Sequence, residues 1–168
     1  LRGYQDERWY TCSVDGKKVG YQRILLARFH TSDGEKLYIG QEEVLFVKYR
    51  TLGIRLICQW ESWETAEGKP VYFRGIQEGA LEPLQFEGYL DGESLIIARW
   101  TPRRSETLKL PWDSSMEGLG ALEWALRRVP MKPGECRRIR FFTPQFLVPA
   151  EVQLTAAAYE TLSPAGGP

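Results

Sequence analysis

The chain has 168 residues, 43% hydrophobic and 12% aromatic, which is long enough for one substantial core and too apolar for a disordered segment. Its 22 Lys and Arg balance its 22 Asp and Glu, which removes the sequence-wide argument for nucleic acid or an anionic membrane as partner. No stretch of about 18 apolar residues occurs, so no membrane-spanning helix is predicted.

The opening LRGYQDER lacks the basic-then-apolar start of a signal peptide. Leu1 and the closing SPAGGP are read as trimmed edges, with 163–168 the start of a flexible linker and 1–162 a single β-rich domain.

The first element is announced by Asp15-Gly16, set between two β-rich runs. This dipeptide predicts a hairpin with a type I′ turn, because such a turn needs positive φ at both central residues. A two-residue turn places Val14 opposite Lys17. Counting back pairs Tyr10 with Tyr21 and sets Trp9 diagonal to Gly20, whose missing side chain leaves room for an indole.

TSDGEK ends the second strand and opens a long third, 36–50. TLG then turns into 54–65, where Ile54, Leu56, Cys58 and Trp60 alternate with Arg55, Gln59 and Glu61. AEGKP leads into 71–78, and in the next strand Leu84, Phe86 and Leu90 share one side. DGE at 91–93 turns into SLIIARW, and strands 136–143 and 151–160 come last. Connections this short join antiparallel neighbours, so a meander of about nine to ten strands is expected.

One segment departs from the two-residue period. Leu119, Leu122, Leu126 and Val129 recur at helical spacing and predict an amphipathic helix over about 115–129, with Ser114 or Ser115 as cap and PMKPGE as stop. The predicted fold is mainly β: a strongly curved antiparallel meander, or half-barrel, that partly wraps this helix as a plug.

Few residues offer catalytic chemistry. His30 is the only histidine and sits at a strand end, with nothing to place it beside a cysteine. Cys12, Cys58 and Cys136 are widely spaced and are expected to be reduced and buried. No zinc spacing, phosphate loop or dinucleotide fingerprint is present, so no catalytic residue, metal ligand or cofactor is assigned. Glu42 and Glu43 are adjacent and point to opposite faces of a strand, which disfavours paired acid–base work.

Two constellations bear on binding. Arg127, Arg128, Arg137, Arg138 and Arg140 gather in a short basic stretch. They read either as a patch for an anionic partner or as strand-pairing charges and the usual cations of a helix C-terminus. Trp63, Trp100 and Trp112 are candidates to line a groove for an apolar or peptide ligand; their alternative is to close the second face of a curved sheet.

The order of segments adds a resemblance. Trp9-Tyr10, Gly16, Lys18 and Gly20-Tyr21 open the chain, and a short helix with the Lys132-Pro133-Gly134-Glu135 loop comes before RRIRFFTP and VQLTAAAYETL. This pattern resembles the β-rich region that precedes the catalytic domain of bacterial transglutaminase-like proteins, itself similar to extracytoplasmic β domains related to the lipoprotein-carrier fold. The resemblance spans nearly all of 7–162. It implies a periplasmic or otherwise extracytoplasmic domain that is itself non-catalytic and presents a substrate to a downstream cysteine hydrolase or transferase. The implied partners are that catalytic domain or an envelope protein or peptide. The second reading is a stand-alone module holding an apolar, lipidated or peptide ligand between sheet and helix.

Overall fold

A computed structural model of the chain describes residues 5–32, 34–49, 52–79, 82–144 and 147–159. The predicted linker at 163–168 and the edge at Leu1 lie outside them.

Ten strands and one helix are described. The strands are β1 (Gln5–Val14), β2 (Lys17–Thr31), β3 (Gly34–Tyr49), β4 (Leu52–Thr65), β5 (Pro70–Glu78), β6 (Leu84–Asp91), β7 (Ser94–Trp100) and β8 (Ser105–Pro111), then α1 (Ala121–Arg128), β9 (Cys136–Thr143) and β10 (Val148–Thr155). β1 to β8 form one antiparallel sheet in strict chain order, and it does not close into a barrel. The expected meander is therefore present. β9 and β10 do not extend it: they pair with each other as a separate two-stranded sheet.

Asp15 and Gly16 have φ of 51° and 72°, the left-handed pair that a type I′ turn requires. Val14 faces Lys17 as predicted, but the register shifts between Cys12 and Ser13. That bulge moves every earlier pair by one residue, so Tyr10 lies opposite Gln22 and Trp9 opposite Arg23. Trp9 still stacks on Tyr21, with centroids 5.5 Å apart. Gly20 serves a different purpose from the one expected of it. A Cβ there would lie 1.9 Å from the Val44 carbonyl oxygen, so β2 can approach β3 only without a side chain at this point.

Alternation along the strands gives the sheet two unlike faces. One carries Ile24 and Leu26 from β2, Leu37 and Ile39 from β3, Phe73, Phe86, Leu95 and Ile97, all buried. On this face Phe73 lies opposite Gly88 and Phe86 opposite Gly75, each ring over the partner glycine. A one-residue slip of β6 would destroy both pairs, so they pin the register.

This apolar face is covered by α1 and by the β9–β10 hairpin. Trp124 packs on Ile24, Leu26, Leu37 and Ile39, while Phe142 packs on the Phe73 cluster, and half-buried Trp60 touches both.

The helix is shorter than predicted and presents a different face. Its buried residues are Ala121 and Trp124, whereas Leu126 and Val129 of the expected apolar face are 41% and 60% exposed. Gly118 and Gly120 disfavour the early turns, and Glu117 instead bonds through its backbone with Arg140 and Phe142 of β9. The Ser115 hydroxyl and amide bond to Asp113, so neither predicted serine caps α1. α1 has no side-chain cap; its N-cap residue is Gly120, whose N–H is held by Glu64 Oε1 of the sheet at 2.8 Å.

Candidate functional site

The opposite face of the large sheet is open and polar, with a cavity of about 480 Å³ between β2 and β7. Strand pairing explains its contents. One row across the sheet runs Arg23, Glu42, Gln59, Ile76, Gln85, Trp100, each opposite the next. The next row runs Leu25, Gly40, Glu61, Arg74, Glu87. The backbone between the rows is the floor, and a glycine at position 40 keeps that floor low.

These polar groups are tied to one another. Arg74 Nε donates to Glu61 at 2.6 Å, and the Tyr38 hydroxyl donates to the same carboxylate at 3.0 Å. Tyr21 donates to Glu42 at 2.7 Å and Gln59 to its other oxygen at 3.3 Å. Tyr72 reaches Glu87 at 3.2 Å, and Arg23 pairs with Glu7 at 2.8 Å. Burial first, and then the Glu61 carboxylate, push the Tyr38 phenol up to about 12. Tyr21 is raised mainly by its bond to Glu42, and Tyr72 by burial and then by Glu87. These phenols therefore stay protonated and remain donors at physiological pH.

The three candidate tryptophans do not meet. Trp100 lines the cavity and is 36% exposed. Trp63 lies on the same open face beyond the cavity, stacked on Tyr38 at 4.9 Å and Phe29 at 5.3 Å. Trp112 packs against the Phe73 core cluster beneath the sheet.

The five arginines each lie near a carboxylate. Arg127 pairs with Asp6, Arg128 with Glu117, Arg137 with Glu135, Arg138 with Glu151 and Arg140 with Asp113. Arg137 also donates to the carbonyls of Ala125 and Val129, at 3.2 Å and 2.7 Å, and so satisfies the C-terminus of α1.

His30 is exposed near the end of β2. Against the expectation of three buried thiols, Cys12 and Cys58 are half-buried and Cys136 is exposed, the last at the outer end of β9 opposite Thr155. Among the described residues no group of three His, Cys, Asp or Glu side chains is placed to hold a metal.

No protein family, curated protein or solved structure matches this chain.

Sequence reasoning did not find the row Arg23, Glu42, Gln59, Gln85. Its members come from four strands and become neighbours only through register. Polar residues at alternate positions of successive strands were the one available signal.

Proposed function

We propose that the chain is a non-catalytic recognition module whose open sheet face holds a polar ligand. The observation that supports this is the cavity lined by Trp100 and a pre-tied set of arginine, carboxylate, glutamine and tyrosine groups. A concave site with an aromatic wall and convergent polar groups is the usual form of a ligand pocket. The space beneath the helix, where the second sequence reading puts a ligand, is filled by Trp124, which has no exposed surface.

The resemblance to regions preceding transglutaminase-like catalytic domains gives this module a setting: it presents an envelope substrate to a neighbouring cysteine enzyme. An α1-side surface braced by ion pairs leaves the opposite face free for that task.

The test is ligand-observed NMR on the wild type and on Trp100→Ala, using glycan, peptide and lipid fractions of a bacterial cell envelope. Signals that vanish in the variant support the proposal. A response that Trp100→Ala leaves intact puts binding elsewhere and overturns it. The setting is checked by peptide mapping of the native protein: peptides continuing past Pro168 into a segment with Cys, His and Asp support it, and a native chain stopping there refutes it.

A further inference from the structure

We infer that the open-face groove binds an extended, uncharged oligosaccharide. The inference rests on the recognition-module reading and adds the chemistry of the ligand.

Three observations lead there. The first is what the groove lacks. Its floor is the middle of a continuous sheet whose amides and carbonyls are engaged in ladder bonds from β2 to β7. An extended peptide binds most readily by adding a strand to a free edge, and no edge exists here. Recognition must come from side chains alone.

The second is charge. Within the cavity Glu42, Glu61 and Glu87 outnumber Arg23 and Arg74 by one, and each charged group is already held by a neighbour: Arg74 by Glu61, Arg23 by Glu7, Glu42 by Tyr21 and Gln59, and Glu87 by Tyr72. Such a set offers planar donors and acceptors already fixed in place, with an acidic excess that disfavours an anion. It suits a ligand rich in hydroxyl groups, each able both to donate and to accept, better than an anion. The groups are also held in place before binding, which lowers the cost of ordering them.

The third is the arrangement of aromatic faces. Trp100 ends the row on β7 and presents the aromatic face of the groove, whereas Trp9, further along the same row on β1, has the Arg23 guanidinium over its ring and Tyr21 beside it. An aromatic face is electron-rich and receives the polarised C–H face of a sugar ring. The cavity spans five strand-to-strand steps from β2 to β7, about 24 Å at about 4.8 Å each. That is the shape of an oligomer lying flat, not of a compact metabolite.

The test titrates the full chain with cellotetraose, maltotetraose and chitotetraose, and with the matching disaccharides, by calorimetry. Neutral decapeptides serve as the comparison. At least one tetrasaccharide is expected to bind, more than tenfold tighter than its disaccharide, and Trp100→Ala is expected to lose at least tenfold in affinity without a change in melting temperature. Peptide binding that Trp100→Ala abolishes, with no saccharide response, overturns the oligosaccharide and leaves the recognition module standing. No response to either class overturns the oligosaccharide inference, and the envelope fractions then decide the module itself. Tetrasaccharide binding indifferent to Trp100→Ala overturns the inference as well, since the groove would not be its site.

Discussion

Glu64→Gln is the most informative single change to the scaffold. Glu64 has no exposed surface. Its Oε1 accepts from Gly120 N–H at 2.8 Å and from Ser62 Oγ at 2.9 Å, while Oε2 has no hydrogen-bond partner among the described residues. Burial pushes this carboxyl up to about 7 from an ordinary 4.5. The Gly120 and Ser62 bonds oppose that shift, nearby Glu117 adds a little to it and Arg128 subtracts a little.

The sign follows from proton uptake. Between about 4.5 and about 7 the folded chain keeps a proton on Glu64 that the unfolded chain has released, so stability from this group is complete below 4.5 and is lost as pH rises through 7. A difference of about 2.5 pH units at about 1.4 kcal/mol each gives roughly 3 kcal/mol. Glutamine keeps the acceptor for Gly120 but cannot ionise, and its amide leaves a buried donor short of a partner, at about 1–2 kcal/mol.

Urea unfolding followed by tryptophan fluorescence should show the wild type losing roughly 3 kcal/mol more than Glu64→Gln between pH 4.5 and pH 8.5. The variant should be weaker than wild type at the acid end and stronger at the alkaline end. Parallel pH profiles for the two proteins would refute the reasoning, because Glu64 would then not titrate against the fold.

Trp124→Ala should cost about 3–5 kcal/mol, the range for removing a large core aromatic, and thermal melting measures it. Gly20→Ala should lower the melting temperature by several degrees, since its methyl would overlap the Val44 carbonyl; hydrogen exchange should show the loss concentrated where β2 meets β3. Cys136 should be alkylated well before Cys12 under native conditions, because Cys136 is exposed while burial, aided by Glu43, raises the Cys12 thiol; mass spectrometry of timed samples reads the order.

The meander was legible because its signals are local. Asp15-Gly16, the Gly-containing turns and the two-residue alternation each lie within a few residues, and short connections leave little choice of partner. The strand at 105–111 carries a weaker signal, because charged Glu106 shares the half-buried side of Leu108 and Leu110 and shortens the apolar run. The helix failed for a different reason. Periodicity identifies which residues share a side, but not which side meets the sheet: Trp124 fills the space above Ile24 and Leu26, while Leu126 and Val129 of the expected face are exposed. The first hairpin's register was missed because a bulge leaves no mark in composition. The groove depends on six strands agreeing in register, which one-dimensional reading does not deliver.

The strict chain order of β1 to β8 also bears on how the molecule is made. Each strand finds its partner in the segment synthesised just before it, so the sheet can assemble hairpin by hairpin without long loop closures. Its cover comes last. Until Trp124 and Phe142 have left the ribosome, Phe73, Phe86, Leu95 and Ile97 form a continuous greasy surface with nothing above it. The vulnerable period for this chain is thus the making of its final third, when a wide apolar sheet waits for a lid still being translated. Nascent chains arrested near Pro111 should accordingly be sticky, engaging holdase chaperones that the finished protein no longer attracts.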